Sequence, residues 1–145
     1  MGALSNYLES GILRHVLNLG GSAIERYSTV YIGLVRGFNA NSLESGVLTS
    51  EVTTGAYARQ AYTSSASTWI TPYTSGTATA THNQNAIEFP VATADIGNVS
   101  GVIITDIGTI GEGNILFYGQ LSNARNIRTN DQFVFSSGAL KITFD

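Results

Sequence analysis

Apolar residues recur every four positions at the start of this chain and every two positions through most of the rest. In "LSNYLESGILRHVLNLGG" (4–21), Leu4, Leu8, Ile12 and Val16 share one face, with Leu13 and Leu17 beside them, which is the helical period. The spacing predicts a helix over about residues 4–18. Ser5 or Asn6 can cap its start, Asn6 and Glu9 have capping-box spacing, and Gly20-Gly21 stops it. Gly11 in the middle costs the helix up to ~1 kcal/mol relative to Ala. About four turns are marginal alone, so Leu8, Ile12 and Val16 must lie on the sheet or on a neighbouring subunit.

After the glycine pair the pattern is that of strands. "STVYIGLV" (28–35) alternates, "GAYARQAYTSS" (55–65) does so more weakly, and "AIEFPVA" (86–92) puts Ile87, Phe89 and Val91 on one face. "GVIITDIG" (101–108) is continuously apolar, as a strand covered on both faces would be. "NILFYGQL" (114–121), "DQFVFSS" (131–137) and "ALKITFD" (139–145) complete the set, with "SSGA" (136–139) as a tight hairpin turn and "GTIGEGN" (108–114) as a looser one. Two polar stretches, 36–50 and 63–85, read as loops. The expectation is one mainly β domain over 1–145: an N-terminal helix followed by an antiparallel sandwich or barrel, jelly-roll-like, over about 28–145.

Composition narrows the function. Charged residues make up 12% of the chain, against a usual ~25%. A surface so poor in charge suits either burial against other subunits or a neutral sandwich face. Basic residues number 7 against 10 acidic ones, with Lys141 the single lysine, so nucleic acid is not an expected partner. Cysteine is absent, which excludes disulfides and thiolate chemistry. No basic leader precedes the first apolar run, and no stretch approaches the ~18 apolar residues of a membrane span.

The densest chemistry lies in "SEVTTGAYARQAYTSS" (50–65), which holds Glu51, Tyr57, Arg59 and Tyr62. It finds no catalytic company. His15 and His82 lack ligand-spaced partners, no G-x-S-x-G elbow is present, and "GTIGEGN" lacks the Lys-Ser/Thr of a phosphate loop. No enzyme activity, metal or cofactor is expected. Arg59 then reads as a structural or interface cation, paired with Glu51 or with a carboxylate on a neighbour. On one continuous strand Tyr57 and Tyr62 would face opposite sides. Trp69 and Tyr73 in the Thr-rich stretch either anchor a contact or, for Trp69, plug the core.

These blocks carry a resemblance in their order along nearly the whole chain. "LSNYLESGILRHVL", "STVYIGL", "SEVTTGAYARQAY", "AIEFPVATADIGNVSGVIITD", "NILFYGQL" and "GALKITFD" resemble a family of small tailed-bacteriophage virion proteins. The family is grouped with tail-fibre proteins and is similar to capsid cement (decoration) proteins. "GAYARQ" (55–60) and "FPVATADIG" (89–97) are the most specific blocks. The chain departs from the family at Ile96, where Trp is usual, and at Gly111-Glu112-Gly113, where a Gly-Gly turn is usual. The resemblance implies a cement protein on the capsid exterior, made in the bacterial host's cytoplasm. The shortage of surface charge adds the expectation of a homotrimer, seated on the major capsid protein lattice, and the helical stripe, the 50–65 stretch and the Thr-rich loop supply Leu8, Ile12, Val16, Arg59, Trp69 and Tyr73 as candidate interface residues. A tail-fibre or tail-tip component is the alternative. A carbohydrate-binding module, with Trp69, Tyr73 and Tyr118 as stacking platforms, is a third reading.

Overall fold

The computed structural model describes residues 3–21 and 24–145. Its main layer is a five-stranded antiparallel sheet. In spatial order it runs β1 (Ala3–Leu4), β8 (Ile115–Ile127), β7 (Gly97–Thr105), β2 (Thr29–Arg36) and β3 (Gln60–Thr63). A three-stranded sheet pairs β10 (Lys141–Phe144) with β5 (Ala78–His82) and β5 with β4 (Tyr73–Ser75). A short ribbon joins β6 (Ile87–Glu88) to β9 (Val134–Phe135). Two helices complete the order, α1 (Asn6–Leu17) and α2 (Ala40–Glu44). The mainly β, sandwich-like architecture with an N-terminal helix is the one the hydrophobic pattern predicts.

The central strands are buried on both faces. Ile32, Leu34, Val102, Ile104 and Leu116 join Ile87, Phe89, Phe135, Leu140 and Ile142 of the smaller sheets and their flanks in one large core. Val35, Ile103, Ile115 and Tyr118 pack beneath Leu43 of α2 in a second core. Residues 101–105 are therefore buried without alternation, as their continuous apolar run requires.

Helix α1 begins on Ser5, whose hydroxyl accepts from Leu8 N–H at 3.3 Å, so the Asn6–Glu9 box is not the cap. Ser5 also ties the helix to β8: its N–H donates to Leu116 O at 3.1 Å and its hydroxyl to Ile115 O. The helix ends on Asn18 in the left-handed conformation (φ 52), two residues before the glycine pair. Gly11 has a packing reason: a Cβ there would sit 2.2 Å from Ile24 Cγ2.

Several expectations need correction. The strand foreseen over 55–65 begins only at Gln60, because Gly55 (φ 71) and Ala56 (φ 63) turn the chain. Tyr57 thus escapes strand alternation, and both it and Tyr62 enter the same core. Past Ile87 and Phe89, Val91 is exposed instead of sharing their face, because the strand stops before Pro90. The 63–85 stretch holds the β4–β5 hairpin, and 36–50 holds α2. The "SSGA" turn, closed by Ala139 N–H on Ser136 O at 2.9 Å, joins strands of two different sheets, since β9 pairs with β6 and β10 with β5. "GTIGEGN" does connect the antiparallel pair β7 and β8. Strand β8 continues beyond Leu121 to Ile127, although its later residues are polar and exposed.

Candidate functional site

Residues 50–65 form a buried polar hub. Arg59 donates from Nε to Glu51 Oε1 and from Nη2 to Glu51 Oε2, each at 2.7 Å. Its Nη1 donates to Thr105 Oγ1 (3.1 Å), Ile107 O (2.7 Å) and Glu112 O (2.9 Å), which fastens the β7–β8 loop to the body. Gly111 N–H closes the other side on Glu51 Oε2 at 2.8 Å. The Tyr57 hydroxyl donates to Glu51 Oε1 (3.0 Å) and accepts from Leu34 N–H (2.9 Å). Burial, then the Glu51 charge beside it, pushes this hydroxyl well above its ordinary range. Gly33 makes the space: a Cβ there would lie 2.9 Å from Tyr57 Oη and 3.2 Å from Glu51 Oε1. Every guanidinium nitrogen and both carboxylate oxygens of the ion pair are thus engaged inside the chain, and Arg59 is 6% exposed. That geometry holds a loop in place and leaves no group facing a substrate. Of the two partners foreseen for Arg59, the chain uses its own Glu51.

The remaining sequence candidates fall in separate places. Leu8 is buried, Ile12 packs partly against the same core, and Val16 stands 70% exposed. Beside Val16, Leu13 and Leu17 of α1 and Leu19 just past its cap are 56–62% exposed, an uncovered aliphatic stripe flanking the seated face. Trp69 is half-buried, edge-on to Tyr62 with ring centroids 5.1 Å apart, so it packs against the core. Tyr73 is exposed on β4, with Lys141 Nζ 5.8 Å from its ring centre. Tyr118, the third stacking candidate, is buried beneath α2. His15 is exposed and His82 Nδ1 lies 3.1 Å from Asn83 O, far from any ligand set. Among the described residues no group of three His, Cys, Asp or Glu could hold a metal ion. No helix among them is long and apolar enough to cross a membrane.

Comparison with known proteins adds one finding to this geometry. The family model described as "Podophage GP4 fiber I protein gp80" matches residues 3–143, nearly the whole chain. No curated protein matches it.

Proposed function

The chain belongs to the podophage GP4 fiber I protein gp80 family, a family of bacteriophage virion structural proteins, and from that membership we propose that it is a subunit of a virion fibre. The match over residues 3–143 carries the reading, because it reaches into every element of the fold and is not one shared motif. The subunit works by assembly. The stripe of Leu13, Val16, Leu17 and Leu19 is the contact by which copies associate as a homotrimer, since so many large exposed aliphatic groups along the helix and its C-terminal end favour a covered state. Ile12 and Leu8 hold the helix to the body while the stripe faces outward. Tyr73 is an exposed aromatic available to a neighbour.

Capsid cement on the major capsid protein is the rival reading, supported by the same shortage of surface charge. A cryo-electron map of the virion separates them. Density fitting this fold in fibres supports the proposal; density confined to the capsid surface would overturn it in favour of the cement role.

A further inference from the structure

We propose that a groove between β8 and the 131–141 segment binds an acidic, hydroxyl-rich saccharide. The groove encloses about 670 Å³, within the ~300–1,000 Å³ of small-ligand sites. Val102, Phe135 and Leu140 give it an apolar floor.

Its β8 wall is shaped by an irregularity in the sheet. Gly101 faces Gln120 and Val99 faces Arg125, so residues 121–124 of β8 stand opposite Ser100 alone. A bulge of this kind re-aims side chains and blunts a strand edge against further pairing. An extended peptide adding along the other edge of β8 would meet a strand bowed by these extra residues. A ligand recognised by side chains would meet Gln120, Ser122, Asn123, Arg125 and Asn126, which all line the groove. Among the described residues none of these five side chains makes a hydrogen bond or ion pair.

The opposite wall is held rigid. Phe133 is half-buried, edge-on to Phe135 at 4.9 Å and to Phe89 at 5.8 Å. Gln132 Nε2 donates to Phe89 O at 2.9 Å, and Lys141 Nζ to Ser75 Oγ at 2.8 Å. The one carboxylate on this wall, Asp131, accepts from Arg128 N–H at 2.8 Å.

The chemistry of the two walls selects the ligand. Each free amide offers a donor and an acceptor side by side, matching adjacent hydroxyls that also donate and accept. The Phe133 ring gives the C–H face of a sugar an apolar surface. Arg125 and Lys141 outnumber Asp131, so the groove is locally cationic in a chain of net charge −3. A carboxylate on the sugar is therefore favoured, with the Arg125 guanidinium as its partner. The inference stands on the groove alone and does not depend on the fibre reading.

The test uses the full chain on a printed array of bacterial surface oligosaccharides that includes uronic-acid sugars, followed by titration with the strongest soluble hit. Asn123→Ala and Arg125→Ala lie on an exposed wall and leave the fold intact, which an unchanged melting temperature verifies. The expected result is binding to acidic sugars, weakened at least about tenfold by each variant and, for the wild type, by raised salt. No bound saccharide on the array, or binding that both variants retain, would overturn the proposal. So would a lower oligomer mass in either variant, which would assign the groove to a contact between copies.

Discussion

Arg59 and Glu51 meet side-on, Nε on Oε1 and Nη2 on Oε2, with both contacts at 2.7 Å and both side chains out of water. Further bonds run to Tyr57, Thr105 and backbone groups of the β7–β8 loop. A pair this well satisfied is tolerated in the interior, whereas either half alone is not. Arg59→Met, similar in length, is expected to cost ~3–5 kcal/mol because it strands a buried carboxylate. Pairing it with Glu51→Gln should recover part of that loss. Urea unfolding of the two variants gives the numbers; a loss below ~1 kcal/mol in Arg59→Met would remove the hub from the account of stability.

Gly33 tests the same hub from its empty side. The Cβ of Gly33→Ala would stand 2.9 Å from both Ile103 Cγ1 and Tyr57 Oη. The expected cost is ~1–3 kcal/mol, the range for overpacking. Thermal melting should fall, and a stability equal to wild type would mean that the hub has slack.

The two sides of α1 should respond oppositely to substitution. Leu8→Ala opens a cavity under the helix and is expected to cost ~2–5 kcal/mol. Leu13→Ser with Leu17→Ser touches only the exposed stripe and should leave subunit stability within ~1 kcal/mol, at ~0.5 per surface site. In the proposed assembly the double variant lowers the mass seen by light scattering. An unchanged mass would exclude the stripe as the subunit contact.

Much of the fold was legible because burial imprints itself on pattern. Residues 101–105 are apolar without alternation, and they are the ones covered on both faces. The helix was visible in its period and in its Ser5 cap, whereas the bond from the same hydroxyl to Ile115 of β8 is one no local rule specifies. The start of β3 was missed because Ala56 takes a positive φ with no glycine to announce it. The second half of β8 was missed because its exposed polar side chains leave it with almost no apolar alternation. For the hub, the Glu51–Arg59 pairing could be read as an option, since both side chains lie in one short stretch. The backbone oxygens of Ile107 and Glu112 could not, because a carbonyl carries no sequence signal. The groove has no motif at all; a bulge and a rigid phenylalanine group create it from residues that look like ordinary surface.

Asp95 gives a pH prediction. Its carboxylate accepts from Thr129 N–H (2.8 Å) and from the Thr129 hydroxyl (3.0 Å), and these bonds hold its pKa below the ordinary 3.8. A folded value below the unfolded one means stability that is fully present above the unfolded pKa. It is lost as pH falls through the lower, folded value. Asp95→Asn should therefore flatten the melting-temperature profile on the acid side, as pH falls through and below the ordinary carboxylate range. An acid limb of unchanged steepness would show that other carboxylates carry it.

In the proposed assembly, the bond between Ser5 and strand β8 also bears on timing. Ser5 and Ile115 are 110 positions apart, a stretch that takes on the order of 5–20 s to synthesise at cellular rates. Until that strand leaves the ribosome, the N-terminal segment has neither the Ile115 and Leu116 carbonyls that anchor Ser5 nor Leu116 to pack against. A stretch of this length is marginal as an isolated helix, so its aliphatic stripe gains a fixed shape only when the chain is nearly complete. Prematurely terminated chains would lack that surface and would be left out of growing particles.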